Sequence, residues 1–369
     1  MTTDEQYMQR CLQLARNGVV GAPPNPMVGA VIVCDGRIIG EGYHARCGQG
    51  HAEVNAFASV DAYLQRYSAF FGSHATEAEL LRRSTLYVSL EPCSHYGKTP
   101  PCARLIIEKG VRRVVVGCVD PFAKVHGRGI SMLRDAGIDV TVGVLESECL
   151  ELNRRFITFN THRRPYVTLK WAQSADGVMG RKQGLLSISS PQTFRRSHHL
   201  RATNMAILVG YQTAMQDNPS LTTRHWDGPD PVRVVIDPKG ELPHSLRLFH
   251  GTATTIVFTH RPEKFADLLY KNVKPLPLSA SPLSATEILD GLFREGLQSL
   301  IVEGGARTLQ LFIDANLWDE AFVECSALTA AQLLKEGDTP VFAPHLLAMP
   351  DNALTYPTSH VFCYHNHQH

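Results

Sequence analysis

Three metal-seeking side chains far apart along the chain, His51, Cys93 and Cys102, constrain its fold before anything else does. They can share a metal only if the chain brings them within bonding distance, so loops around residues 51, 93 and 102 must meet. Glu53 follows the histidine by two positions. The set is one ligand short of a structural zinc site, whereas a catalytic zinc keeps one position for water. Zinc nucleobase deaminases use such a set, with a nearby glutamate that moves protons and does not bind metal. Zinc lowers the pKa of its water to roughly 7. Glu53 is close enough to take that proton and later protonate a leaving amine. Chemistry on an amino-pyrimidine or purine is therefore the first reading. The bland alternative is a structural zinc or thiols buried in a core. It is the expectation for Cys11, Cys34, Cys118, Cys149 and Cys325, with Cys47 and Cys363 left open. His95 is a rival ligand beside Cys93.

The pattern around these residues is α/β. Thr3 with Gln6 offers a capping box for a helix reaching Gly18. Val28 to Val33 and Ile38 to Tyr43 read as strands joined by an Asp35-Gly36 turn. A helix should begin near His51. Leu86 to Leu90 and Val114 to Val119 read as buried strands around a helix, Ala103 to Lys109, that Gly110 ends. Ile138 to Val144 alternates as a further strand. The first domain spans 1–147, a polar and basic linker 148–164, and a second domain 165–369. There Tyr166 to Trp171, Ala206 to Val209, Val232 to Ile236 and Thr255 to Phe258 read as strands. Ser190-Pro191 opens a helix, and Leu300 to Val302 leads through Glu303-Gly304-Gly305 into another. The histidine-containing tail after Leu346 shows little periodicity.

The 369 residues carry 36 basic and 35 acidic side chains, a formal net charge of +1. With no long basic run, nucleic acid is a poor partner. No apolar run of about eighteen residues suggests a membrane span. No leader is evident, and nine cysteines at irregular spacing fit a reducing cytoplasm better than a disulfide framework.

The interval from Cys93 to Cys102 is longer than the Cys-x-x-Cys of cytidine and tRNA-adenosine deaminases. The stretch Glu91-Pro-Cys-Ser-His-Tyr-Gly-Lys-Thr-Pro-Pro-Cys102 instead resembles the bifunctional riboflavin-biosynthesis deaminase-reductases, the RibD family. So do Pro24-Asn25-Pro26-Met27-Val28-Gly29, Gly40-Glu-Gly-Tyr-His44 and His51-Ala-Glu-Val54. Asp176-Gly177, Leu200-Arg201-Ala202, Asp217-Asn-Pro-Ser-Leu-Thr222 and Glu303-Gly304-Gly305 continue the pattern. The resemblance implies a cytidine-deaminase-like domain followed by a dihydrofolate-reductase-like one. The first would hydrolyse the ring amine of 2,5-diamino-6-(5-phosphoribosylamino)pyrimidin-4(3H)-one with zinc. The second would use NADPH to reduce the ribosyl group, giving 5-amino-6-(5-phosphoribitylamino)uracil. A homodimer is also implied.

By the same resemblance, Asn25, His44, Lys98 and Asp120 contact the deaminase substrate. Ala172, Thr213, Asp217, Gly304 and Gly305 fall at cofactor positions, and Arg201, Leu221, Arg224 and Glu303 at positions for the reductase substrate. A Gly-Gly turn between a strand and a helix offers backbone N–H groups to an anion, although many such pairs are only turns, and an arginine pair can grip a phosphate bidentately. The family's Ser-x-Trp-Ile is Leu185-Leu-Ser-Ile188 here, which leaves open a chain with deaminase activity alone. A non-catalytic nucleotide-binding protein and a tRNA deaminase are the remaining alternatives. Residues 60–83 are longer than the usual connection, as a subunit contact or a surface helix.

Overall fold

The computed structural model describes residues 1–71, 76–94, 100–121, 127–279 and 281–367. The chain divides into two compact units, Met1–His162 and Arg163–His369.

In the first unit the order is α1 (Thr3–Ala15), β1 (Gly29–Cys34), β2 (Arg37–Tyr43), α2 (Ala52–Phe71), α3 (Glu77–Leu81) and β3 (Thr85–Leu90). Then come α4 (Cys102–Lys109), β4 (Arg113–Cys118), α5 (Arg128–Asp135), β5 (Asp139–Val142), α6 (Glu146–Leu152) and α7 (Arg154–His162). One sheet runs β2-β1-β3-β4-β5. β2, β1 and β3 pair antiparallel, and β3, β4 and β5 parallel. Every residue of β1 is buried, as a central strand covered by helices on both faces requires. Asp35 and Gly36 take positive φ at the hairpin, and Gly110 at φ +70° ends α4. The capping box of α1 is Thr2 with Glu5, not Thr3 with Gln6. Thr2 Oγ1 accepts from the Glu5 N–H, and the Glu5 carboxylate accepts from the Thr2 N–H. Both pairs satisfy the spacing, but a carboxylate also complements the positive end of the helix dipole. The stretch expected as a connector carries α6 and α7.

The second unit comprises β6 (Tyr166–Gln173), β7 (Val178–Arg181), α8 (Pro191–Thr203), β8 (Ala206–Gly210), α9 (Tyr211–Asp217), β9 (Val232–Ile236), β10 (Thr255–Thr259) and β11 (Val273–Pro277). α10 (Ala285–Arg294), β12 (Ser299–Val302), α11 (Ala306–Asp314), β13 (Glu320–Ser326), β14 (Pro340–Phe342), β15 (Asn352–Tyr356) and β16 (Ser359–His365) follow. The main sheet runs β11-β10-β9-β8-β12-β6-β13-β16-β15, and β7 pairs with β14. β11 through β13 are parallel, and β16 and β15 join antiparallel at one edge. Ser190 caps α8 by accepting the Thr193 N–H. The tail that lacked periodicity is the β15–β16 hairpin. Among the described residues no helix is long and apolar enough to cross a membrane.

Candidate active sites

Two glycines bring the first site together. Gly40 and Gly42 occupy one face of β2, two positions apart. A Cβ on Gly42 would lie 2.4 Å from the Ala56 nitrogen, and one on Gly40 2.6 Å from the Ala56 carbonyl oxygen. Only a strand bare of side chains there lets the helix backbone lie so close. That approach sets His51 and Glu53, at the start of α2, against the sheet. Asn55 ties the intervening loop by donating to the carbonyls of Tyr43 and Gly50.

β3 delivers Glu91 and Cys93 at its end, and Cys102 is the first residue of α4. His51 Nδ1 lies 3.3 Å from Cys102 Sγ and 3.6 Å from Cys93 Sγ. The three donor atoms all fall within 4.8 Å of one another. Two sulfurs and one imidazole are a zinc donor set. Among the described residues no fourth side chain joins them; His95 and Lys98 lie outside the described residues. The Cys102 thiol donates to Cys93, which holds Cys93 below its ordinary value and pushes Cys102 up. Hydrogen bonding to Cys93 in turn raises His51 against the opposing effect of burial. A cation replaces such a shared proton, which is the fit expected of a zinc site. Glu53 is 3% exposed. Burial first, then the Cys93 charge, pushes its carboxyl up to about 7.

Asn25, His44, His51, Glu53, Cys93 and Asp120 line one cavity of about 260 Å³. His44 Nδ1 lies 3.1 Å from the Gly50 carbonyl oxygen, and its Nε2 lies 3.1 Å from Asn25 Nδ2. Burial lowers the His44 pKa. A neutral ring that donates from Nδ1 and accepts at Nε2 satisfies both contacts. Glu91 also borders this cavity, and its role is not evident in sequence. Its carboxylate accepts the N–H groups of Asp120, Gly127, Gly129 and Ile130 at 2.8–3.3 Å. It thereby ties the Cys93 loop to the start of α5 and to Asp120. Phe156, from α7, is a second lining residue that sequence reading missed.

The second site lies where β6, β12 and α9 end. Ala172, Thr213, Asp217, Glu303 and Gly305 line one cavity, and so do Leu185, Leu186 and Ile188 of the altered segment. Gly304 packs beneath it: a Cβ there would lie 2.8 Å from Val209 Cβ. Gly305, at φ +76°, is the N-cap of α11 and offers no side-chain cap. The first N–H groups of that helix therefore suit a phosphate, which fits a dinucleotide. Burial raises the Asp217 pKa.

Glu303 is gripped by Arg201, whose Nη2 and Nε donate to its two oxygens at 2.6 and 3.2 Å. Arg201 also donates to the Thr222 carbonyl. Arg224 is exposed and donates to Thr222 Oγ1 at 2.7 Å. The Leu221 side chain is buried in an apolar cluster, with its backbone at φ +54°. His198, beside these residues, accepts the Arg224 N–H. Burial, then the charges of Arg201 and Arg224, lower its pKa to about 4. Lys170 lines the cavity, and sequence reading passed over it. A charged residue within the otherwise uncharged β6 was the available signal.

Comparison with known proteins finds a matching family over each unit. Residues 1–118 match the family model of the cytidine and deoxycytidylate deaminase zinc-binding region. Residues 165–337 match the RibD C-terminal domain. The riboflavin biosynthesis protein RibD of Aquifex aeolicus is 40% identical over 339 residues, covering 91% of this chain and 90% of that one. The Escherichia coli protein is 35% identical over 341 residues, covering 87% and 86%. A Thermotoga maritima structure, a diaminohydroxyphosphoribosylaminopyrimidine deaminase/5-amino-6-(5-phosphoribosylamino)uracil reductase, superposes with TM-score 0.81 at 36% identity and covers 98% of both chains. Acinetobacter baumannii RibD superposes with TM-score 0.82 at 30% identity. The fold is thus a cytidine-deaminase-like unit followed by a RibD-type reductase unit, and two activities stand over a deaminase alone. The chain belongs to the RibD family, the bifunctional deaminase-reductases of riboflavin biosynthesis.

Proposed function

We propose that the first unit removes the ring amine of 2,5-diamino-6-(5-phosphoribosylamino)pyrimidin-4(3H)-one. The second unit then reduces the ribosyl group with NADPH to give 5-amino-6-(5-phosphoribitylamino)uracil. The observation that carries this reading is the convergence of His51, Cys93 and Cys102 beside buried Glu53 in a cavity lined by Asn25 and His44. Zinc held by the two sulfurs and the imidazole supplies activation of water at neutral pH. Glu53 carries the proton from that water to the departing amine, a task suited to a carboxyl group tuned near neutrality. With Nδ2 committed to His44, Asn25 keeps Oδ1 to accept a ring N–H. Asp120 and Lys98 complete the substrate contacts in this proposal.

In the second unit NADPH, when bound, supplies the hydride. Ala172, Thr213, Asp217, Gly304 and Gly305 form its cradle. Glu303 and Lys170 face the sugar, Leu221 contacts it through its backbone, and Arg224 with the two remaining N–H groups of Arg201 takes the phosphate. The enzyme acts in the cytoplasm on a free small molecule, without nucleic acid or membrane, as a homodimer that light scattering would detect. Incubating the chain with the diamino substrate and then NADPH tests the sequence of steps. Ammonia release followed by loss of nicotinamide absorbance is expected, and Glu53→Gln should abolish the first while retaining zinc. Full ammonia release in that variant would refute the assignment of Glu53.

A further inference from the structure

The stretch that reads as a connector in sequence reaches into the deaminase cavity. Asn153, between α6 and α7, is 2% exposed. Its Oδ1 accepts the Met27 N–H at 2.8 Å, and its Nδ2 donates to the Met27 carbonyl at 2.9 Å. Both backbone groups of one residue are thus clasped by a single amide, as a neighbouring strand would hold them. Met27 closes the loop that presents Asn25 to His44. One turn further along, Phe156 lines the same cavity as Asn25, His44, His51 and Glu53. Its ring is half-buried, and it belongs to neither apolar core cluster of this unit. A phenylalanine outside the core, lining a cavity beside Pro26, Val28 and Leu90, offers aromatic surface to whatever occupies it. A flat heteroaromatic ring gains from such a face whatever its substituents.

We propose that α6 and α7 complete the deaminase site. Phe156 forms an aromatic wall against the pyrimidine ring, and Asn153 is a positioning residue that holds the Asn25 loop. The inference rests on the deamination reading above. Truncating an aromatic side chain under a base typically weakens binding about tenfold.

The test uses the full chain with Phe156→Ala, Phe156→Tyr and Asn153→Ala. Calorimetric binding of the diamino-pyrimidine substrate is measured in a Glu53→Gln background, which cannot turn it over. Steady-state ammonia release, zinc content and NADPH oxidation with premade deaminated intermediate are measured alongside. Phe156→Ala should weaken binding and raise KM about tenfold, with kcat, zinc content and the reductase rate retained, and Phe156→Tyr should restore binding. Asn153→Ala should raise KM in the same way, through Asn25. Unchanged binding and KM in Phe156→Ala would overturn the proposal. So would a loss that appears only together with loss of zinc, since that marks a structural role. Absence of ammonia release from the unsubstituted chain would instead refute the deamination reading, and this inference with it.

Discussion

Removing the Arg201 guanidinium should destabilise the second unit far more than removing it together with its partner. The pair is bidentate, at 2.6 and 3.2 Å, and its side chains are only 12% and 8% exposed. Arg201→Met takes both hydrogen bonds from the buried Glu303 carboxylate and leaves Lys170 as its main cationic neighbour. Breaking such a buried pair costs about 3–5 kcal/mol, whereas replacing both partners with apolar groups is often near neutral. Arg201→Met with Glu303→Leu should therefore recover most of the loss. At a urea slope of about 2 kcal/mol per molar for a unit of this size, the single variant shifts the midpoint by about 2 M. All three tryptophans, Trp171, Trp226 and Trp318, lie in the second unit, so their fluorescence reports its unfolding alone. The sign with pH follows from Glu303. Burial pushes its carboxyl up, but Arg201 and Lys170 more than offset this and hold it below the ordinary value. The pair's contribution is thus present above the ordinary carboxylate range and is lost as pH falls through the lowered value. A single variant no less stable than the double, or a cost below about 1 kcal/mol as for exposed pairs, would refute the reasoning.

Two further substitutions test the first unit. A Cβ at Gly129 would lie 2.0 Å from the Pro92 carbonyl oxygen, so Gly129→Ala must displace the residue next to Cys93. Overpacking of this kind costs about 1–3 kcal/mol; metal analysis should show depleted zinc, and full zinc with full ammonia release would contradict it. Asp4 accepts from Arg113 at 2.7 and 3.0 Å and from Tyr87 at 2.8 Å, and its pKa is lowered chiefly by Arg113. Its contribution, on the order of 1 kcal/mol for a partly exposed pair, is complete above the ordinary aspartate value and disappears as pH falls through the lowered one. Scanning calorimetry from pH 5 downward should show Asp4→Asn losing less stability than the parent chain, and parallel pH profiles would refute the assignment.

The meeting of His51, Cys93 and Cys102 was legible because imidazole and thiolate are the side chains that zinc selects. Turns and caps were legible where one residue dominates the local physics, as at Asp35-Gly36, Gly110 and Ser190-Pro191. The cap of α1 slipped by one because two overlapping pairs satisfy the same spacing, and only the charge on Glu5 separates them. The β15–β16 hairpin was invisible because β15 is exposed along most of its length, so no face imposes alternation. Partners distant in sequence were hidden for another reason. Arg201 and Glu303 are 102 positions apart, and Asn153 and Met27 are 126 apart, so neither contact leaves a local pattern. The polar composition around Phe156 marks the exposed faces of α6 and α7 and masks the single ring turned to the cavity.

The two glutamates show why residue type alone does not fix a protonation state. Glu53 and Glu303 are both buried, and burial by itself favours the neutral acid in each. Their neighbours decide the outcome. Beside Glu53 stands the Cys93 thiolate, which adds to the cost of a second negative charge and leaves the carboxyl up at about 7. Beside Glu303 stand Arg201 and Lys170, which keep it ionised. A group that must accept a proton and give it back needs a pKa near the working pH. In the proposed reading Glu303 orders cations around the substrate sugar, and such a group needs its charge fixed. Exchanging the neighbours, rather than the glutamates, is therefore what would exchange the two protonation states.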